Sequence, residues 1–158
     1  MKTRVLFLCT GNSCRSQMAE ALLRHVGSAK FESLSAGSFP AGYVHAVAID
    51  AMNRLGVPMV GQCSKSWDEF VNAPVDVVIT LCDDAARQAC PILPGSPLKA
   101  HWPMPDPSFH PGTETERQQF AVAVANRLRA KIEELVKVDF TGSDPATLQS
   151  ALTRISQV

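Results

Sequence analysis

No apolar run in this 158-residue chain approaches the ~18 residues that crossing a bilayer demands. The N-terminal MKTRVLFLCTGN turns polar after a five-residue apolar stretch, too short for a signal-peptide core, so the protein is expected in the cytoplasm and off the membrane. An excess of charge is lacking too: fifteen Lys and Arg balance fifteen Asp and Glu, which argues against a nucleic-acid surface. There is no internal repeat, low-complexity tract or linker, and residues 1–158 are expected to form one domain. A disulfide framework is not needed at this length. In a reducing compartment the five cysteines, Cys9, Cys14, Cys63, Cys82 and Cys90, are therefore chemistry, metal ligands or core filler before they are structural bridges.

What is present alternates strand and helix. RVLFL, residues 4–8, is a continuous apolar run suited to a strand covered on both faces. From Ser13 the period lengthens: Met18, Leu22 and Val26 mark one helical face, with Gly27 where a C-cap belongs. A strand is expected over 31–35, a helix through Val44, Val47, Ala48, Ala51 and Leu55, a strand over 75–81 and a weaker one over 99–102. Thr113 and Glu116 have capping-box spacing before a long helix, and Ser143-Asp144-Pro145 opens a short last one. The pattern predicts an α/β domain with a central parallel sheet flanked by helices. Ligands of such sheets sit beyond the carboxyl ends of the strands, and Cys9, Cys82 and the Asp106 segment all follow expected strands.

The loop Cys9-Thr10-Gly11-Asn12-Ser13-Cys14-Arg15-Ser16 joins the first strand to the first helix. Gly11 lets the backbone turn so that successive N–H groups point inward, and a nest of this kind at a helix N-terminus binds a tetrahedral oxyanion. The Arg15 guanidinium can clamp two of its oxygens. The same donors favour the thiolate of Cys9, and Ser16 is placed to donate to that sulfur. No Gly-Lys-Ser/Thr follows the glycine, so this is not the phosphate loop of nucleotide hydrolases. Reading Cys9 as a buried hydrophobe leaves Gly11, Arg15 and Ser16 without a purpose.

CTGNSCRSQMAEALL resembles the active-site loop and first helix of the low-molecular-weight tyrosine phosphatase superfamily, whose fold is a four-stranded parallel sheet flanked by helices. Two branches share it, phosphatases and arsenate reductases. Thr10, Ser13 and Gln17, together with CDDAARQACPILPG and then AHWPMPDP, resemble the reductases; phosphatases usually read CLGNICRSP. The resemblance implies that Thr10 to Arg15 bind the oxyanion, that Cys9 attacks arsenate, and that Asp106 is the general acid. It further implies that Cys82 attacks the Cys9 sulfur to release arsenite, and that Cys90 moves the disulfide outward to an external thiol reductant, glutathione with glutaredoxin or thioredoxin. No tightly bound cofactor or metal is expected, and a monomer is; phosphate and sulfate would mimic the substrate. The alternative is a phosphatase that hydrolyses phosphoesters through a Cys9 phosphoenzyme.

Core packing and a zinc site are the other readings of Cys82 and Cys90, but C-x4-C and C-x7-C spacings make no paired C-x2-C knuckle. Cys14 is expected to serve through its backbone N–H, and Cys63 to pack below the sheet. His25, His45, His101 and His110 have no spacing that suggests a triad or a metal. Lys65 stands where relatives with a bound potassium ion carry an aspartate. Its ammonium either replaces that cation near Asn12, Glu20 and Ser35 or is a solvated surface group.

Overall fold

The structure, a computed structural model, describes residues 1–82 and 95–158. Cys90 and the helix that Asp83 to Ala89 favours by composition lie outside the described residues.

Four parallel strands, β1 (Thr3–Cys9), β2 (Phe31–Gly37), β3 (Val77–Thr80) and β4 (Leu98–His101), lie in the order β2-β1-β3-β4. β1 is central, and its side chains alternate between two cores. Val5 and Phe7 face one with Val77 and Ile79, while Leu6 and Leu8 face the other with Ala36 and Val78. Burial on both faces explains why β1 reads as an unbroken apolar run. Strand order reverses between β1 and β3, so a crevice opens beyond their carboxyl ends.

The larger core is closed by α1 (Arg15–Gly27), α2 (Ala46–Arg54), α3 (Glu114–Leu135) and α4 (Pro145–Ile155). Thr113 caps α3 in the expected capping box, its hydroxyl accepting from the Glu116 N–H while the Glu116 carboxylate reaches back. Asp144 caps α4 ahead of Pro145. The smaller core sits under Phe70, in a short 3₁₀ turn over Trp67–Phe70.

Element boundaries differ from the expected ones by a few residues. β3 is shorter than 75–81, yet its flanks still pair with β1: the Asp76 N–H donates to the Arg4 carbonyl and the Leu81 N–H to the Leu8 carbonyl. Gly27 is the last helical residue of α1 and Ser28 its cap. A Cβ at Gly27 would lie 2.7 Å from Val136 and 3.2 Å from Phe31. The glycine is there for close packing, not for a left-handed cap. Cys63 is exposed, contrary to the expectation that it packs below the sheet. It belongs to the loop before the 3₁₀ turn, which runs beside the site and contributes backbone and polar side chains there.

Candidate active site

β1 delivers Cys9 to the sheet edge, and the next residues wrap into a loop before α1 begins at Arg15. The loop is held from outside through its carbonyls. Thr10 O accepts from the Phe39 N–H at 2.9 Å, Gly11 O from the Ala41 N–H at 2.8 Å, and Ser13 O from the His45 N–H at 2.8 Å. Asn12 O accepts from the buried Gln17 amide at 3.0 Å, and the Ser64 hydroxyl adds a second bond to Gly11 O at 3.0 Å. With four successive carbonyls bound on the outside, the loop turns its amides toward its concave side, the arrangement an oxyanion requires. The turn is sharpest at Asn12, which is fully buried with φ 47°, a left-handed conformation that asparagine tolerates better than most residues. Gly37, paired with Cys9 across the ladder, supplies the space, because a Cβ there would sit 2.4 Å from Thr10 O.

The concave side opens on a cavity of about 260 Å³ lined by Cys9, Thr10, Gly11, Ser13, Cys14 and Arg15 from the loop, and by Asp106 and Ser108 from the segment after β4. Arg15 spans the two. One guanidinium nitrogen donates to the Met104 carbonyl at 3.0 Å and the other lies 3.3 Å from the Asp106 carboxylate. At the cavity floor the Cys9 sulfur is 2.8 Å from the Ser16 hydroxyl. Cys14 is buried beside them, and its thiol is pushed up to about 12, chiefly by burial and then by the negative charges of Asp106 and Cys9. Burial thus holds the Cys14 thiol in its protonated form.

Cys82 follows β3, the immediate neighbour of β1, and packs against Cys9 as a buried pair set apart from both aliphatic cores. The Thr10 hydroxyl is 3.4 Å from the Cys82 sulfur. The fold therefore brings together Cys9, Thr10, Gly11, Asn12, Ser13, Cys14, Arg15, Ser16, Cys82 and Asp106. Behind the loop, the Lys65 N–H donates to Asn12 Oδ1 at 2.9 Å. Its ammonium lies 3.9 Å from Glu20 Oε1, the oxygen that also accepts from Ser35 at 2.9 Å. Lys65 is thus engaged with the loop's support and is not a solvated surface group.

Reading the sequence missed Tyr43, His45 and Phe109, which line the cavity together with Ala41. His45 caps α2, its Nδ1 accepting from the Val47 N–H at 3.1 Å, a position more usually held by Asn, Asp or Ser. A cap filled by an unusual residue type just before an apolar-periodic helix was the one clue available.

A cysteine-bearing loop beyond the central strand, an arginine bridging that loop to Asp106 and a second buried cysteine beside the first define the class of protein. The chain belongs to the family described as low molecular weight phosphotyrosine protein phosphatase, which it matches over residues 4–139. Among its relatives is an arsenate reductase of Shouchella clausii, 38% identical over 136 residues that make up 86% of this chain and 96% of that one. Among solved structures, one described as an arsenate reductase in the phosphate binding state is 30% identical with a TM-score of 0.68, covering 87% of this chain and 98% of its own. A low molecular weight protein tyrosine phosphatase from T. tengcongensis shares the fold at 23% identity and a TM-score of 0.71, covering 86% of this chain and 99% of its own.

Proposed function

We propose that the protein reduces arsenate to arsenite through its own thiols. The observation that carries this reading is the buried Cys9–Cys82 pair at the ends of adjacent parallel strands, directly beneath an oxyanion loop. A hydrolase needs one sulfur there; a reductase needs a second within reach of the first.

Arsenate is held by the loop amides and the Arg15 fork. The Cys9 thiolate attacks arsenic, an oxygen leaves as water on taking a proton from Asp106, and a sulfur–arsenic(V) bond results. Cys82 then attacks the Cys9 sulfur. The sulfur–sulfur bond forms as the sulfur–arsenic bond breaks, and the bonding electron pair stays on arsenic, which leaves as arsenite. Two thiols have been oxidised to one disulfide and arsenic has gained two electrons. Cys90 next attacks Cys82, freeing Cys9 and carrying the disulfide outward, where a cytoplasmic thiol donor, glutathione with glutaredoxin or thioredoxin, reduces it. Among the described residues no helix is long and apolar enough to cross a membrane.

A second reading, phosphoester hydrolysis, is favoured by the Arg15–Asp106 pair, since clamp, nucleophile and acid suffice for it without Cys82. Anaerobic single-turnover mixing of reduced protein with arsenate, following arsenite release and loss of free thiols together, tests the proposal. One arsenite per two thiols lost supports reduction; hydrolysis of p-nitrophenyl phosphate with no arsenite formed would establish the phosphatase instead.

A further inference from the structure

The family match ends at residue 139, and α4 begins at Pro145. The relatives use nearly all of their own length while leaving part of this chain unmatched, so α4 is an addition to the shared fold. It is firmly docked. Leu148, Leu152 and Ile155 repeat at helical spacing and are buried. The buried Lys131 ammonium of α3 donates to the carbonyls of Ile155, Ser156 and Val158 at 3.4, 3.0 and 2.8 Å, a cation at the negative end of the helix. Gln149 donates to the Lys99 carbonyl at 2.9 Å and so covers part of the sheet-edge strand β4.

The contact that reaches the site is made by Trp102. Its ring is fully buried, with its centroid 6.5 Å from that of Phe7, and its indole N–H donates to the Leu152 carbonyl at 3.3 Å. That carbonyl also accepts from the Ser156 N–H at 3.2 Å, so the bond to Trp102 is additional to the helix ladder. Trp102 opens the sequence Trp-Pro-Met-Pro-Asp-Pro, in which alternate prolines fix φ and restrict the residues before them. Two residues on, the Met104 carbonyl accepts from Arg15, and two further on Asp106 meets the other arm of the same guanidinium. Trp102 is thus joined to the Arg15 partners by a short, stiff segment, whose Trp102 and Met104 amides also donate to the Thr80 and Leu81 carbonyls at 2.8 and 2.9 Å.

We propose that α4 is a positioning element added to the shared fold, which holds Trp102 through the Leu152 carbonyl and thereby fixes the Met104 and Asp106 partners of Arg15. The inference rests on the reading of Arg15 as the oxyanion clamp. The prolines explain why a tether at Trp102 matters: a flexible glycine at position 103 would decouple it from Met104.

Two full-length variants test it. Trp102→Phe keeps an aromatic ring and removes only the indole donor; Lys131→Met loosens the far end of α4 without touching Trp102. The readouts are inorganic phosphate affinity, the Arg15 Nε–H resonance in nitrogen–proton correlation spectra, and Tm. Phosphate Kd is expected to rise roughly threefold to tenfold in Trp102→Phe, the size of one lost hydrogen bond, with a shifted Arg15 resonance. Lys131→Met should move both in the same direction, with faster amide exchange over 145–155. If α4 exchanges faster but phosphate affinity and the Arg15 resonance are unchanged in both variants, α4 is only a stabilising addition and the inference is overturned. If Arg15→Lys binds phosphate as tightly as the unmodified protein, the clamp reading itself has failed, an outcome distinct from failure of the tether.

Discussion

The Ser16 hydroxyl lies 2.8 Å from the Cys9 sulfur while its own oxygen accepts from the Asn12 side-chain amide, also at 2.8 Å. The Lys65 N–H can only donate, so the Asn12 carbonyl oxygen faces Lys65 and the amide NH₂ must face Ser16. A thiolate carries no proton to give, so toward it Ser16 can only donate, while one lone pair of its oxygen takes the Asn12 amide. The direction of this relay, Lys65 to Asn12 to Ser16 to Cys9, makes Ser16 a donor to the thiolate. Ser16→Ala should slow formation of the Cys9 adduct about tenfold to a hundredfold, the worth of a hydrogen bond to a charged group. Rapid-quench measurement of adduct formation checks this, and an unchanged rate would remove Ser16 from the mechanism.

Cys82→Ser separates the two chemistries of the site. Its sulfur contacts Cys9 and the Thr10 hydroxyl but does not line the oxyanion cavity. Arsenite release should vanish while p-nitrophenyl phosphate turnover persists. Thr10→Val should slow arsenite release severalfold and leave phosphoester turnover nearly intact. Parallel loss of both activities in a folded Cys82→Ser protein would contradict the assigned thiol transfer.

Much of this geometry could be read from the chain because its local signals are strong. An unbroken apolar strand entering a Gly-containing polar loop, followed by a helical period, places Cys9 and Arg15 at one sheet edge, and parallel topology brings Cys82 to the same edge. The Asn12 relay could not be read, since it depends on which way an amide faces after Lys65, far away in sequence, has docked. The role of α4 was hidden for a similar reason. Trp102 looks like ordinary core filler until the Leu152 carbonyl is found against its indole nitrogen.

Lys65 offers a test of electrostatic support. Its ammonium lies 3.9 Å from Glu20, a largely buried carboxylate that also takes Ser35 and Arg24 as partners. If this ammonium does the work of a bound cation, exchanging potassium for tetramethylammonium at constant ionic strength should leave arsenate reduction unchanged. Lys65→Asp should make it potassium-dependent. Stimulation of the unmodified protein by potassium would show that the ammonium is not a substitute.

Gly37 is tied to the loop by space alone. A Cβ would meet Thr10 O at 2.4 Å and the Asn12 nitrogen at 2.9 Å, both backbone atoms that cannot swing aside. Gly37→Ala should lower Tm and weaken phosphate binding together, because relief of the clash must displace the residues that form the cradle. Calorimetry alongside phosphate titration checks the coupling. A loss of stability with unaltered phosphate affinity would mean that β2 yields instead of the loop.

Cys14 makes the stability of the protein fall as pH rises into the alkaline range. Its thiol is raised from 9.0 to about 12, mainly by burial, then by Asp106 and Cys9, with Ser108 and Arg15 acting the other way. Below pH 9 the thiol is protonated in folded and unfolded chains alike and contributes no slope. Between pH 9 and about 12 the unfolded chain releases this proton while the folded one retains it. The folded state then binds more protons, and stability falls as pH rises, by at most about 1.4 kcal/mol per pH unit from this group. Cys14→Ala removes the ionisable group and should flatten that decline, while keeping the backbone N–H that the cradle uses. Urea midpoints measured from pH 8 to 11 for both proteins check it. Identical slopes would mean that Cys14 ionises in the folded protein as readily as in the unfolded chain, and would leave it free to compete with Cys9 as a nucleophile.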